Sequence, residues 1–459
     1  MLIYDTLTKK KKVFRPRDKK RVNMFVCGIT PYDSPHIGNI KTFLNYDIVA
    51  NYLRFKGYNL FYLQNITDID DKIIKRSNEQ NTSCEKLSQK YFKELEDTLK
   101  ILNVSSVNKY AKATDHIKEI IKQIEKLIKK GYAYENNGTV FFDVLKFKDY
   151  GKLSKQKLNK LKKAERTEED ANKKHPYDFV LWKARKLDEP YWESPFGPGR
   201  PGWHIEDTAI TEHYFGSQYD IHGGGMDLIF PHHECEIAQQ ESASGKKPFV
   251  RQWMHSGFIN VNGEKMSKSL GNFITAKEVL EQYDANVVKF MMLSAHYRSP
   301  IDHTNKLIEQ SKSSFQKIND FFDRLKNYKA KEEKRSKVIK KDIDKFFSEM
   351  DNDFNTPKAL ASVFNLIKTA NSQMDKNILS KEDAKKISLF LKDVEKIFNI
   401  KITSIKKEPL PKDIKNMLEA RKIAREDKNW EESDSIRESL LKRGYKVEDI
   451  LGEQKIKKI

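Results

Sequence analysis

VNMFVCGIT (22–30), NIKTFLNYDIVANYLRFKGY (39–58) and NLFYLQNI (59–66) decide how the N-terminal part of this 459-residue chain folds. The first and last are short apolar runs rich in β-formers, the length of buried strands. Between them Phe43, Leu44, Ile48, Tyr52, Leu53 and Phe55 recur at helical spacing, Pro31 and Pro35 punctuate the entry, and Gly57 offers a stop. A strand, a helix and a strand within about 45 residues make a βαβ unit and predict a parallel sheet. Ligands of such sheets bind at the C-terminal strand ends. PHIGNIK (35–41) falls there, where the first strand passes into the helix. A helix N-terminus offers unpaired N–H groups and partial positive charge, suited to phosphate. Pro35 opens the turn, Gly38 permits close approach, and His36 and Asn39 can donate to phosphate oxygens. Alone, a histidine beside a glycine is an ordinary loop feature.

Working outward, residues 85–130 read as amphipathic helix. KLSKQKLNKLKKAERTEEDANKKH (152–175) is charged and reads as an insertion or a solvated excursion. Residues 178–260 are rich in glycine, histidine and aromatics, and chemistry is expected there. From 300 to 400 glycine is absent and the periodicity helical, which predicts antiparallel helices in a bundle. A basic linker, KITSIKKEPLPKD (401–413), leads to a last unit at 411–459.

Length predicts roughly three domains at about 150 residues each. With 38% hydrophobic and 11% aromatic residues the chain can build packed cores, which excludes wholesale disorder. Eighty-six Lys and Arg against 66 Asp and Glu leave a net charge of +20, which favours a polyanionic partner such as nucleic acid. Cys27, Cys84 and Cys235 cannot form a disulfide framework and point to a reducing compartment. No apolar run is long enough to span a membrane, and MLIYDTLTKKKK lacks the apolar core of a signal peptide, so a cytoplasmic location is expected.

GEKMSKSLGN (263–272) places Lys265 and Lys268 on a short turn between glycines, two point charges suited to a departing pyrophosphate. Each lysine alone reads as a solvated surface residue. Together, PHIGNIK and GEKMSKSLGN resemble the HIGH and KMSKS signatures of class I aminoacyl-tRNA synthetases. The second is matched in full; the first ends in Asn39 rather than histidine, which keeps a donor but no charge.

FVCGITPYD (25–33), NITDIDDKI (65–73), GRPGWHIE (199–206), YDIHGGGMDLIFPHHE (219–234) and ARKIAREDKNWEESDSIRESLLKRGYKVED (420–449) are similar to the cysteinyl-tRNA synthetase family. The resemblance implies an α/β fold: a Rossmann-type parallel-sheet catalytic domain with an inserted connective segment, a helical bundle and a small C-terminal anticodon-binding unit. The implied limits are 1–110 and 199–255 for the two catalytic halves, 111–198 for the insertion, 256–305 for the KMSKS-bearing stem-contact region, 306–400 for the bundle and 411–459 for the anticodon unit. It implies activation of L-cysteine by ATP, giving cysteinyl-adenylate and pyrophosphate, then transfer to the 3′-terminal ribose of tRNA(Cys), with one Zn²⁺ per chain and Mg²⁺ accompanying ATP. A monomer suits the family.

The residues give their own reason for a metal. Cys27 ends the first strand at the mouth of the sheet. His232 and Glu236 are spaced i, i+4 after Pro231, which suits a first helical position, and so share a helix face. Cys, His and Glu are zinc ligands, and a catalytic zinc keeps a position open for a substrate thiolate. Bland readings are a buried strand cysteine and a surface His/Glu pair. The family pattern has a cysteine ligand after GWHIE; this chain has Asp207. Asp207 supplies a harder oxygen ligand, or it caps the following helix, or Cys235 provides the sulfur instead. The resemblance puts His36, Asn39, Lys265 and Lys268 in catalysis. Gly223, Gly224 and Asp227, in the run 222–227, join Pro35, His36, Gly38, Asn39 and the two lysines around ATP. Cys27, Gly28, Thr67, Trp203 and His222 border cysteine. A plain turn, core packing and a helix cap are the alternatives for the glycines, Trp203 and Thr67. In the tail, Arg421, Arg425, Trp430, Asp434 and Arg437 interleave charge with an aromatic, suited to phosphate contact and base stacking; an amphipathic surface helix is the alternative. Two rival functions share parts of this pattern, a ligase joining cysteine to an amino-sugar and an RNA-binding protein without catalysis.

Overall fold

The structure, a computed structural model, describes residues 1–156, 172–266, 271–330, 337–403, 411–450 and 453–458. The chain opens with a hairpin of β1 (Leu2–Asp5) and β2 (Lys10–Val13). β3 (Arg21–Ile29), α1 (Ile37–Phe55) and β4 (Asn59–Ile66) then form the expected βαβ unit, with β3 and β4 parallel. α1 is buried on nearly all sides, as a crossover helix between a sheet and further helices must be. The β3–β4 register slips between Val26 and Ile29. Gly28 sits in that slip, where a Cβ would lie 1.9 Å from the Asn65 carbonyl oxygen, so only glycine fits.

After α2 (Asp71–Glu79) and α3 (Cys84–Ile101) comes an element the helical reading of 85–130 does not contain, the strand β5 (Lys109–Lys112), followed by α4 (Ile117–Lys129). KYAK buries only Ala111 fully and has no alternating apolar face; its strand state comes from pairing beside β4 at the sheet edge. β6 (Ala133–Asn136), β7 (Thr139–Phe142), β8 (Phe179–Ala184) and β9 (Gly199–Pro201) form an antiparallel sheet around Phe141, Phe142 and Trp182. Most of the charged stretch 152–175 lies outside the described residues.

α5 (Ile205–Phe215), β10 (Tyr219–Gly225), α6 (Glu234–Ser244) and β11 (Val250–Ser256) complete a five-stranded parallel sheet of order β11-β10-β3-β4-β5. From β3 the chain builds outward to β4 and β5, then returns to the other side for β10 and β11. The reversal lies between β3 and β10, and the crevice beyond their C-terminal ends is the expected ligand site. β12 (Ile259–Val261), β13 (Glu264–Lys265), α7 (Ala276–Gln282), α8 (Ala285–Leu293) and β14 (Ile301–His303) follow, the strands forming a small sheet of order β13-β12-β14. The helical region 300–400 holds α9 (Asn305–Asn327), α10 (Lys337–Met350), α11 (Thr356–Asp375) and α12 (Lys381–Phe398). Its core residues Phe346, Leu366, Phe390 and Val394 join a continuous apolar cluster that reaches Met24 and Ile221 under the parallel sheet. No described helix is long and apolar enough to cross a membrane.

Residues Ser404–Ile459 form a separate compact unit. α13 (Lys412–Glu426), α14 (Trp430–Lys442) and a hairpin of β15 (Tyr445–Ile450) and β16 (Glu453–Lys458) enclose Ile414, Leu440, Tyr445 and Val447. Arg421, a candidate RNA contact by sequence, is buried here. Its guanidinium donates to both carboxylate oxygens of Asp449 at 3.0 and 2.9 Å and to Gln454 Oε1 at 2.6 Å, tying α13 to the hairpin. Arg425, Trp430, Asp434 and Arg437 remain at the surface, with the Arg425 guanidinium 5.5 Å over the Trp430 ring. Arg421→Ala is expected to destabilise this unit by about 1–3 kcal/mol, since it removes the tie between α13 and the hairpin and opens a buried volume, while Arg425 still pairs with Asp449 at 3.2 Å. Accelerated limited proteolysis within 411–459 is the readout, and an unchanged cleavage rate contradicts the assignment.

Candidate active site at the sheet switch point

A cavity of about 550 Å³ opens beyond the C-terminal ends of β3 and β10. Of the residues singled out by sequence, Cys27, Gly28, Pro35, His36, Gly38, Asn39, Thr67, Trp203, Asp207, Asp227 and His232 line it. It therefore brings the thiol end of β3, the phosphate turn and the Asp207/His232 pair into one space.

At its floor Cys27, Asp207, His232 and Glu236 place their ligand atoms within 4.8 Å of one another, all buried. The His232 Nε2 is 3.0 Å from Asp207 Oδ2 and 3.1 Å from Glu236 Oε1, and Cys27 Sγ is 3.4 Å from Asp207 Oδ2. His232 lies in a wide turn (Ile229–His233) ahead of α6, not in regular helix with Pro231 at its first position, yet it still faces Glu236. Phe230, extended within that turn, interrupts the regular helix there.

Asp207 does not cap α5. The N-cap is His204, and Asp207, one turn in, receives Asn65 Nδ2–H on Oδ1 at 2.6 Å, which leaves Oδ2 facing Cys27 and His232. Cys235 is turned elsewhere, its sulfur 3.2 Å from the Tyr150 hydroxyl. Of the three readings, the carboxylate is the group brought to the cluster.

A second set overlaps the first: Cys27, His222, His233 and Glu236. His233 Nε2 is 3.1 Å from the Cys27 sulfur, and its Nδ1 is 2.8 Å from His255 Nε2. His222 sits behind the sulfur at 3.5 Å with the Tyr219 hydroxyl 2.6 Å from its Nδ1, so it borders the cluster rather than the cavity. His233 and Asn65 escaped the sequence reading. His233 stands three residues before Glu236, a helical spacing that could have found it. Asn65 offers no such signal, because its role depends on β4 lying beside β3.

The electrostatics of this floor suit a cation. Burial, then the nearby Asp207 and Glu236 charges, push the Cys27 thiol well above its ordinary range. Burial and then Asp207 push the Glu236 carboxyl up. Burial holds the His222 and His233 imidazoles well below theirs. Both Glu236 carboxylate oxygens are buried and accept no hydrogen bond among the described residues. Such a group is costly unless a metal or cation meets it. A donor set of sulfur, imidazole and carboxylates fits a divalent transition ion.

Thr67 is buried, its hydroxyl donating to Glu206 Oε1 at 2.6 Å, and Trp203 stacks on His232 with ring centroids 4.4 Å apart. At the start of α1, His36 and Asn39 form a capping box. The Asn39 N–H donates to His36 Nδ1 at 3.3 Å and the His36 N–H to Asn39 Oδ1 at 3.1 Å. Asn39 thus spends its carbonyl oxygen on the cap, leaving the amide nitrogen as the donating end. Gly38 is required locally, since a Cβ would lie 2.9 Å from the His36 ring. Gly223 and Gly224 are buried rather than on the cavity wall; a Cβ there would strike the Tyr46 ring and the His233 ring respectively, so their smallness serves packing. Gly225 and the exposed Asp227 reach the cavity. The lysine segment approaches it through Met266. Of Lys265 only the backbone is described, ending β13, and Lys268 lies outside the described residues.

Residues 13–313 match the model of the class I (C) tRNA synthetase catalytic domain, 345–400 the DALR domain, and 407–456 the cysteinyl-tRNA ligase anticodon-binding domain. A cysteine–tRNA ligase of Carboxydothermus hydrogenoformans is 45% identical over 456 residues, covering 98% of each chain. One of Thermoplasma acidophilum is 46% identical over 454 residues, again 98% of each. The chain belongs to the cysteinyl-tRNA synthetase family. Among solved structures, Mycobacterium tuberculosis methionyl-tRNA synthetase with methionyl-adenylate superposes with a TM-score of 0.60 at 14% identity, covering 82% of this chain and 89% of that one. A ternary complex of an Agrobacterium radiobacter LeuRS gives 0.63 at 10% identity, covering 84% and 85%. At these identities the likeness is one of fold, the α/β class I architecture.

Asn65→Ala is expected to weaken metal binding about 10–100-fold, because it removes the N–H that orients Asp207 through its Oδ1. Competition with a chromophoric chelator measures this, and unchanged affinity removes Asp207 from the ligand set. Gly28→Ala is expected to cost about 1–3 kcal/mol through the clash with the Asn65 carbonyl; urea unfolding checks it.

Proposed function

We propose that this chain is a cysteine–tRNA ligase that selects its amino acid by bonding to the substrate sulfur. The observation that carries the reading is the cluster of Cys27, Asp207, His232 and Glu236, the first three lining the same cavity that holds the phosphate turn. These four residues would hold one Zn²⁺, which when bound would supply a Lewis-acid centre able to take a substrate thiolate as an additional ligand. A hydroxyl is a poor partner for such a centre, so serine is refused by chemistry rather than by size. A pocket relying on shape discriminates only ~10–200-fold per methylene-sized difference.

In the first step the cysteine carboxylate oxygen bonds to the α-phosphorus of ATP and the bond to the β-phosphate bridging oxygen breaks. This forms the adenylate and releases pyrophosphate. No proton need be removed, so positioning and charge stabilisation suffice. His36, Asn39 and Gly38 hold the phosphates, with Mg²⁺ accompanying the nucleotide, and Lys265 and Lys268 neutralise the leaving pyrophosphate. Asp227 accepts from ribose hydroxyls, while Trp203 and Thr67 border the amino acid. Gly28 shapes the floor beside Cys27. In the second step a terminal ribose hydroxyl of tRNA(Cys) attacks the adenylate carbonyl and AMP leaves. Arg425, Trp430, Asp434 and Arg437 form the exposed face offered to the anticodon, with Arg421 bracing it from within. A cytoplasmic monomer suits this reading.

Cysteine-dependent ATP–pyrophosphate exchange with charging of tRNA(Cys) is the test; exchange without tRNA charging would favour joining of cysteine to an amine instead of a ribose hydroxyl. Cys27→Ser is expected to lose metal and exchange together. Intact metal content and activity in that variant would remove the thiolate argument. Lys268→Ala is expected to slow exchange about 10²–10³-fold while tRNA affinity is kept. A fall in tRNA affinity with exchange unaltered would reassign that lysine.

A further inference from the structure

Lys41, on α1 one turn beyond the phosphate turn, is almost wholly buried, at 1% exposure. No carboxylate among the described residues lies within ion-pairing distance of it. Its ammonium instead donates to three carbonyl oxygens, of Gly257 at 2.6 Å, Ser299 at 3.1 Å and Tyr297 at 3.3 Å, which uses its full complement of donors. Desolvation pulls its pKa down to about 8. A buried charge with no counter-charge is expensive, and an apolar side chain of similar length would fill the volume without that cost. What Lys41 alone provides is convergence of two backbone segments on one point.

Those segments matter because of where they lead. Gly257 lines the cavity and starts the excursion to β12 and β13, and it packs so closely on the 298–299 backbone that a Cβ would lie 2.4 Å from the Ser299 oxygen. Asn45, four residues on and on the same helix face, donates to Ser256 Oγ at 2.8 Å. The excursion returns to the same helix. The Ile37 N–H donates to the Ile274 oxygen at 3.1 Å, and the Ala276 N–H to the Pro35 oxygen at 2.8 Å. The departing end of the lysine-bearing segment is thus held by side chains of α1, and its returning end by the backbone at the start of α1.

We propose that Lys41 is a positioning residue that locks the departure point of the lysine segment to the phosphate-binding helix, so that Lys265 meets the leaving pyrophosphate in register. The inference rests on the role given to Lys265 above. A misplacement of about 1 Å can cost roughly 10²-fold in rate.

The test is a double-mutant cycle in the full-length, metal-loaded protein, read as pyrophosphate exchange per titrated active site. Lys41→Met is expected to lower kcat for exchange roughly 10²-fold, with KM for cysteine and metal content within about twofold of the parent. In a Lys265→Ala background the same substitution should cost little more, because the group it positions is gone. A loss that multiplies in the double variant, or a fall in active-site number with unchanged rate per site, overturns the proposal. If Lys41→Met does not fold, Asn45→Ala carries the same comparison, with a smaller loss in the parent and almost none in the Lys265→Ala background. A Lys265→Ala variant with parental exchange overturns the role given to Lys265, and this inference with it.

Discussion

Three groups that carry negative charge when ionised, Cys27, Asp207 and Glu236, meet in the interior within 4.8 Å of one another and of His232. A protein interior accepts such a gathering only with the groups protonated or with a cation among them. Much of the catalytic half is arranged to make the gathering possible. β3 must stop at the rim to present Cys27; α5 must enter so that Asp207 looks inward; the wide turn before α6 must bring His232 over Glu236. Asn65 from β4 and Tyr219 from β10 then orient the first layer, to Asp207 and His222 respectively. The parallel sheet puts these neighbours side by side although they are distant in sequence, and the reversal between β3 and β10 leaves the crevice open above them.

How far this was legible in the sequence varied with how local each signal is. The βαβ unit could be read because two apolar runs flank a helix whose own periodicity needs no partner to be recognised. Cys27, His232 and Glu236 could be read from chemistry and spacing. β5 could not, because KYAK becomes a strand only through its neighbour. Nor could the duty of Gly223 and Gly224, whose neighbours Tyr46 and His233 come from elsewhere in the chain. The charged tail shows the same limit in reverse. Arg421 looks like its exposed neighbours in sequence, yet it is buried against the hairpin, where both it and the half-buried Arg425 pair with Asp449.

Asp207 also illustrates how context settles an ambiguous residue. An aspartate near a helix start is an expected cap, and nothing in GWHIED excludes that reading. The cap position falls instead on His204, and a carboxylate one turn inside the helix, fully buried and gripped by Asn65, has no solvent to satisfy its second oxygen. That oxygen is aimed at Cys27 and His232. The resulting donor set is harder than one with a second protein thiolate. The softest protein donor is then Cys27 alone, and a substrate thiolate would be the only other sulfur in the set.

The same helix, α1, touches several walls of the cavity. Its first turn faces the cavity through His36 and Asn39, its next two turns grip residues 256 and 257 through Asn45 and Lys41, and its flank receives the Tyr46 contacts to Gly224 and Met254. One rigid element therefore refers the phosphate turn, the end of β10 and the root of the lysine segment to a common frame. For a reaction whose demand is alignment of a carboxylate, an α-phosphate and a leaving pyrophosphate, a shared frame is worth more than any single strong contact, because errors at separately mounted groups would accumulate. The burial of a lysine without a counter-ion follows from that demand, since carbonyl oxygens can be gathered around an ammonium from several segments at once, as no apolar side chain could do.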